Sequence, residues 1–209
     1  TWTALAPMAV PRDLHRVELL GNGEVLAVGG CYVAANGACA GVSASGETFD
    51  PATLTWTRVD GALAQTRVYF RLTALADGRA LVAGGCERFD ASGCTRSLDS
   101  TAIYDPARRV FEPAAPLPGA VQNHDGWRLD DGSIIVAGGS RAGAVSRAAY
   151  RYRPTAGVDG TWEATPRLGS AHVAAAGVVM PGGKLLVTGS WGIEVGPVLM
   201  READDGLVG

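Results

Sequence analysis

Apolar residues come in short bursts that recur along the chain. The run Val25-Leu26-Ala27-Val28 closes on Gly29-Gly30, and Ala80-Leu81-Val82-Ala83 closes on Gly84-Gly85. Ile134-Ile135-Val136-Ala137 closes on Gly138-Gly139, and Leu185-Leu186-Val187-Thr188 closes on Gly189-Ser190. From Gly29 onward the spacings are 55, 54 and 51 residues. Four-residue apolar runs bounded by turn residues read as buried strands. Ahead of each run stands a pair able to take positive φ: Asn22-Gly23, Asp77-Gly78, Asp131-Gly132 and Gly182-Gly183. Such pairs predict type I′ hairpins, with first strands near Val17–Leu20, Leu72–Leu75, Trp127–Leu129 and Gly177–Met180.

A third strand follows each apolar run after a variable segment. It reads Glu47-Thr48-Phe49-Asp50-Pro51, then Ala102-Ile103-Tyr104-Asp105-Pro106, then Ala149-Tyr150-Arg151-Tyr152-Arg153-Pro154. Proline suits a strand exit because it cannot donate to the ladder, and Asp50 and Asp105 read as turn caps. A fourth strand carries Trp56, Phe111 or Trp162, with Trp2 at the same repeat position. Four strands in a period of about 50 residues predict an all-β propeller of about four blades, each of four antiparallel strands. The whole chain, residues 1–209, is then one domain. Its blades fall near 12–62, 67–115, 120–165 and 170–203, with residues 1–6 as an outer strand of the last or of a preceding blade. Four wedges of ordinary curvature leave a gap, so an arc or partial propeller is expected ahead of a closed ring. Pairing of residues 1–4 with residues 198–201 would mark the ring.

The double glycine, the Tyr-Asp-Pro and the following Trp together resemble kelch-repeat proteins of the bacterial, extracytoplasmic type. The resemblance runs from about Thr1 to Arg201 and departs from the pattern at Arg153 and at Gly189-Ser190. It implies a kelch-type β-propeller whose loops ring a central channel. Relatives with this fold include copper-radical oxidases and a sialic-acid epimerase. The oxidases carry a Tyr-His pair and a free cysteine cross-linked to Tyr. This chain has no Tyr-His dipeptide.

Cysteine placement sets the compartment. Cys31 and Cys86 each follow a double glycine directly, and Cys39 and Cys94 lie eight residues further on. Of the three possible connectivities, repeat symmetry favours Cys31 with Cys39 and Cys86 with Cys94. Each bridge would close a loop of about nine residues, worth roughly 2.5 kcal/mol in the chain-entropy account. Disulfides place the protein outside the cytoplasm: extracellular, periplasmic or on the cell surface. A zinc site is the rival, though a spacing of eight is long for paired thiolate ligands. The chain opens at Thr1 without a charged n-region and apolar leader. Any signal peptide is therefore expected to have been removed, or the segment to come from a longer chain. No uncharged stretch has the apolar density of a membrane span.

The composition fits this picture. Glycine is 29 and proline 11 of 209 residues, which suits many strands and turns. A net charge of −3 leaves no basic surplus to neutralise phosphates, so nucleic acid is not an expected partner.

Strand alternation puts the long segments Cys31–Gly46, Cys86–Ser100, Ser140–Arg147 and Ser190–Gly196 on one face with the connections between blades. The tight turns lie on the other. Loops held by a rigid scaffold are where binding residues gather. Arg12 and Arg67 share one repeat position, with His15 and Phe70 three further on, and Asn123-His124 and His172 fall near the same place. Two readings follow. Arg12, Arg67, His124 and His172, with Tyr69 as a further binding candidate, form a polar, partly cationic funnel for an anionic group or acidic peptide, or the Arg and His side chains tie neighbouring blades together through backbone carbonyls. Tyr32 and Trp191 do not recur and stand in loops, which makes them further binding candidates. The expected function is a non-catalytic module that holds a protein or glycan on the long-loop face, with no metal and no cofactor. The alternatives are an oxidase-like or carbohydrate-active enzyme, and a run of blades from a longer propeller with its site elsewhere.

Overall fold

A computed structural model describes residues 1–34, 39–90, 93–155, 157, 159–190, 196–203 and 206–208. Four four-stranded antiparallel sheets follow one another along the chain. The first blade orders Arg16–Leu19, Val25–Val28, Gly46–Asp50 and Thr55–Arg58 from its inner edge outward. The second uses Arg71–Ala74, Ala80–Ala83, Thr101–Asp105 and Val110–Ala114. Asp125–Arg128, Ile134–Ala137, Ala149–Arg153 and Thr161–Ala164 make the third. The fourth runs Ala176–Met180, Lys184–Thr188, Val198–Ala203 and Gly206–Val208. Neighbouring inner strands touch in chain order, first to second, second to third and third to fourth. This is the β-propeller arrangement.

The cores lie between blades. Leu26, Val28, Phe70, Leu72, Val82 and Tyr104 fill the first junction. Leu81, Ile103, Val121, Ile134, Val136 and Tyr152 fill the second, and Trp127, Ile135, Leu168, Leu185, Val187 and Met200 the third. Each sheet is therefore apolar on both faces, which explains the continuous Val/Leu/Ile runs of the second strands. Val17 shows what happens at the end of the series: it is 54% exposed, while its equivalent Leu72, covered by the first blade, is 1% exposed. Phe49 meets Trp56 at 5.2 Å, Tyr104 meets Phe111 at 4.9 Å and Tyr152 meets Trp162 at 5.0 Å, so the recurring outer-strand aromatics pack on their own blades.

Three details differ from expectation. In the first three hairpins only the glycine takes positive φ: Gly23 at 88°, Gly78 at 92° and Gly132 at 82°. The glycine amide bonds back three residues, to Leu20, Leu75 and Leu129. These are three-residue loops, a type I turn followed by a left-handed glycine, and not type I′ turns. The preceding Asn22, Asp77 and Asp131 use their side-chain oxygens to accept the amide two residues on, at 3.1, 3.1 and 2.9 Å. Only the fourth hairpin has positive φ at both members of its pair, Gly182 and Gly183. Residues 1–6 form no strand, and Trp2 is fully exposed. The outer strand of the last blade is Gly206–Val208, paired with Val198–Ala203. The pairing of residues 1–4 with 198–201 that would mark a ring is absent among the described residues.

Candidate functional site

The long segments after the first two double glycines are β-hairpin arms rather than loops. Cys31–Val33 pairs with Cys39–Val42, and Cys86–Asp90 pairs with Gly93–Ser97. Disulfides Cys31–Cys39 and Cys86–Cys94 clip them, with Cα separations of 5.5 and 5.8 Å. The third blade has only the short pair Ser140–Arg141 with Ala144–Val145. Each arm base pairs with the incoming connection of a blade: Arg12–Asp13 with Cys31 and Tyr32, Val68 with Cys86, and Gln122 with Ser140. Arms and connections thus share one face. Cys31, Val68 and Cys86 form a small buried cluster under both arms, with Leu14, Val42, Tyr69 and Cys94 against it. Tyr69 is half-buried at this base, while Tyr32 stands 40% exposed on the first arm. Trp191 lies outside the described residues.

Each double glycine is forced by what it touches. Gly29 and Gly30 have φ of 66° and 88°, and a Cβ on Gly30 would sit 2.5 Å from the Asp13 carbonyl. The second glycine amide crosses to the next blade: Gly30 to the Arg67 carbonyl at 2.9 Å, Gly85 to Val121 at 2.8 Å and Gly139 to His172 at 2.7 Å. Those acceptors are equivalent positions, so Arg12, Arg67, Val121 and His172 form one repeat column. The next columns hold positive-φ residues that are not glycine: Leu14 at 55°, Tyr69 at 55°, Asn123 at 51° and Ala174 at 49°. The Asn123 amide donates to Tyr69, and the Ala174 amide to Asn123, both at 2.8 Å. Strained backbone of this kind persists where surrounding bonds over-determine it.

The two arginines face inward. Arg12 donates to the Gly29 and Ser45 carbonyls at 3.0 and 2.9 Å and to Glu47 at 2.9 Å. Arg67 donates to the Gly84 and Ser100 carbonyls at 2.9 and 3.1 Å and to the Ser100 hydroxyl at 3.1 Å. Both are buried, so they staple the strand ends of their own blade. They neither open onto a funnel nor bond across to a neighbouring blade with their side chains. Burial of Arg67 lowers its pKa to about 10, with Glu87 opposing the shift. His172 takes the same post, its Nδ1 2.7 Å from the Gly189 carbonyl and its Nε2 3.0 Å from Ser170.

His124 occupies a different column, that of His15 and Phe70. It is a wedge between Gly84 and Gly139, as Phe70 is between Gly29 and Gly85. Burial, with Arg71, Arg16 and Arg67 nearby, holds its pKa down at about 3. Both of its ring nitrogens are buried. His172 thus stands in a different column from His15 and His124, and no group of three His, Cys, Asp or Glu residues suited to a metal occurs among the described residues. Both cysteine pairs are bridged and no free cysteine remains.

Sequence reasoning placed the inner strands but missed the charged residues on them. Arg16, Arg71 and Asp125 are equivalent first residues of three blades, and Arg71 bridges Asp125 at 3.0 Å. Glu18 and Arg128 lie further along the same wall. The available signal was polar residues in strands otherwise apolar.

No family model matches the chain, and no curated protein sequence matches it. Solved structures do. The structure of YjhT superposes with a TM-score of 0.73 at 16% identity, over 91% of this chain and 62% of that one. A fungal alcohol oxidase of the AA5 family, in complex with copper, superposes at 0.70 with 20% identity, over 99% and 42%. The chain therefore spans less than two thirds of each neighbour's length. At these identities the likeness establishes a β-propeller fold.

Proposed function

We propose that the protein is an extracytoplasmic binding module of kelch-type architecture that holds a protein or glycan partner on its arm face. The observation that carries this reading is the pair of disulfide-clipped hairpins on adjacent blades, joined at their bases around Val68 and Tyr69. Ordered arms lose little conformational entropy on binding, and this preorganisation favours affinity. The exposed Tyr32 and Val33 give the first arm an apolar flank, and Arg96, ion-paired with Glu87 at 2.6 Å, gives the second a charged one. Aromatic and arginine side chains are the usual anchors of protein interfaces. Disulfides of this kind persist in oxidising compartments, which supports a site of action outside the cytoplasm.

Panels of glycans and of purified extracellular proteins test the reading. Any partner found should lose at least tenfold in affinity on Tyr32→Ala combined with Arg96→Ser. It should be indifferent to Asp130→Asn on the turn face. Loss of binding through the turn-face change, with the arm variant unaffected, overturns the assignment.

A further inference from the structure

All four blades contribute to one cleft at the axis. It is lined by Glu18 of the first blade, Arg71 and Thr73 of the second, Trp127 and Arg128 of the third and Val179 of the fourth, and has a volume of about 290 Å³. Its place is the inner-strand wall, toward the tight turns and away from the arms. A space of this size suits a ligand of metabolite dimensions.

The charges there are arranged, not scattered. Arg16, on the same wall, donates its Nε to the Phe70 carbonyl at 3.2 Å. Arg71 is held by Asp125 at 3.0 Å, and its buried Nε has no hydrogen-bond partner. Arg128 is exposed and reaches the Ala74 carbonyl only at 3.5 Å, the long limit of a hydrogen bond. Burial raises the pKa of Glu18, with the Ala74 amide, Arg71 and Arg128 opposing it. Three arginines against two carboxylates, Glu18 and Asp125, leave one positive charge unmatched on this wall. Guanidinium groups with unspent donors recognise carboxylates through paired, planar hydrogen bonds.

We propose that the axial cleft is a binding site for one carboxylate group of a small ligand, received by Arg71 and Arg128 with the Thr73 hydroxyl beside them. The single surplus charge fits a monoanion. A phosphate dianion would bring a second negative charge against Glu18. Trp127 packs closely against Gly177 and is largely buried. The site is independent of the arms and stands whether or not the arm face binds a partner.

Titration of the whole chain with succinamate, followed by amide chemical shifts, tests this. Succinamate carries one carboxylate, and succinamide is its neutral counterpart. Saturable shifts are expected at Thr73, Ala74 and Gly126, with none at the arm residues Tyr32 and Thr95. Succinamide and orthophosphate should bind at least tenfold more weakly. Arg128→Gln should weaken succinamate at least tenfold, and Arg58→Gln on an outer strand should leave it unchanged. Arg128 is exposed, so its replacement tests the site even if Arg71→Gln unfolds the blade. Absence of saturable shifts at the axial amides, equal binding of succinamide or phosphate, or indifference to Arg128→Gln would overturn the proposal.

Discussion

The first and second blades place an arginine at the same position and bury it against the same two carbonyl acceptors. They differ in what else meets the guanidinium. In the first, Glu47 stands beside Arg12 and also accepts the Ala9 and Val10 amides at 2.6 and 3.1 Å. Burial opposes ionisation of Glu47, but the bonds from Arg12, Ala9 and Val10 win and hold its pKa below the usual carboxylate range. In the second, the position equivalent to Glu47 is Ala102, and Arg67 donates to carbonyls and a hydroxyl, with Glu87 acting on it through charge and not through a bond. The third blade has Val121 there, beside a cavity of about 10 Å³, enough for one water. The fourth has His172. What recurs from blade to blade is the position beside the strand-end carbonyls. The side chain there changes, and Val121 of the third blade offers those carbonyls no donor.

That contrast is open to a direct break. Arg12→Met strands the buried Glu47 carboxylate and should cost about 3–5 kcal/mol, the usual penalty for removing one partner of a buried pair. Denaturant unfolding measures it, and a loss below about 1 kcal/mol would show that water already reaches Glu47. Next in size is a pH effect at the wedge. His124 stays neutral in the folded chain down to about pH 3, whereas the unfolded chain takes up the proton below its ordinary value of 6.5. Stability therefore falls as pH drops from about 6.5 toward 3. His124→Phe, which copies Phe70, should remove about 2 kcal/mol of that loss at pH 5. Equal slopes of stability with pH for the two proteins would break the account.

Arg67→Met should cost about 1–2 kcal/mol, less than the same change at Arg12. Three hydrogen bonds go, but the burial of a cation is relieved and no carboxylate is left behind. Equal losses at the two arginines would remove the distinction between the blades. The smallest effect is expected in the third blade, where Val121→Ile should add about 0.5 kcal/mol by filling the small cavity. A clear loss in thermal unfolding would mean that the space is already occupied by water bonded to its walls.

The sequence by itself determined the repeat, and with it the blade count and strand order. Apolar runs, glycine pairs and outer-strand aromatics act locally or within one sheet, so their period is legible along the chain. It also favoured the cysteine pairing, since equivalent placement after Gly30 and Gly85 suggested one clip within each repeat, and the disulfides follow it. It favoured an arc over a ring, and nothing among the described residues closes the ring. Tertiary structure decided the rest. Whether Arg12 and Arg67 look outward or inward depends on carbonyls 17 and 33 residues away. The separation of His124 from His172 into different columns appeared only once the inter-blade bonds of Gly85 and Gly139 fixed the register. The axial wall needed all four blades in place, because Glu18, Arg71, Arg128 and Val179 share no local pattern and meet only where the inner strands converge. Burial and charge balance are sums over distant neighbours, and no window along the chain contains them.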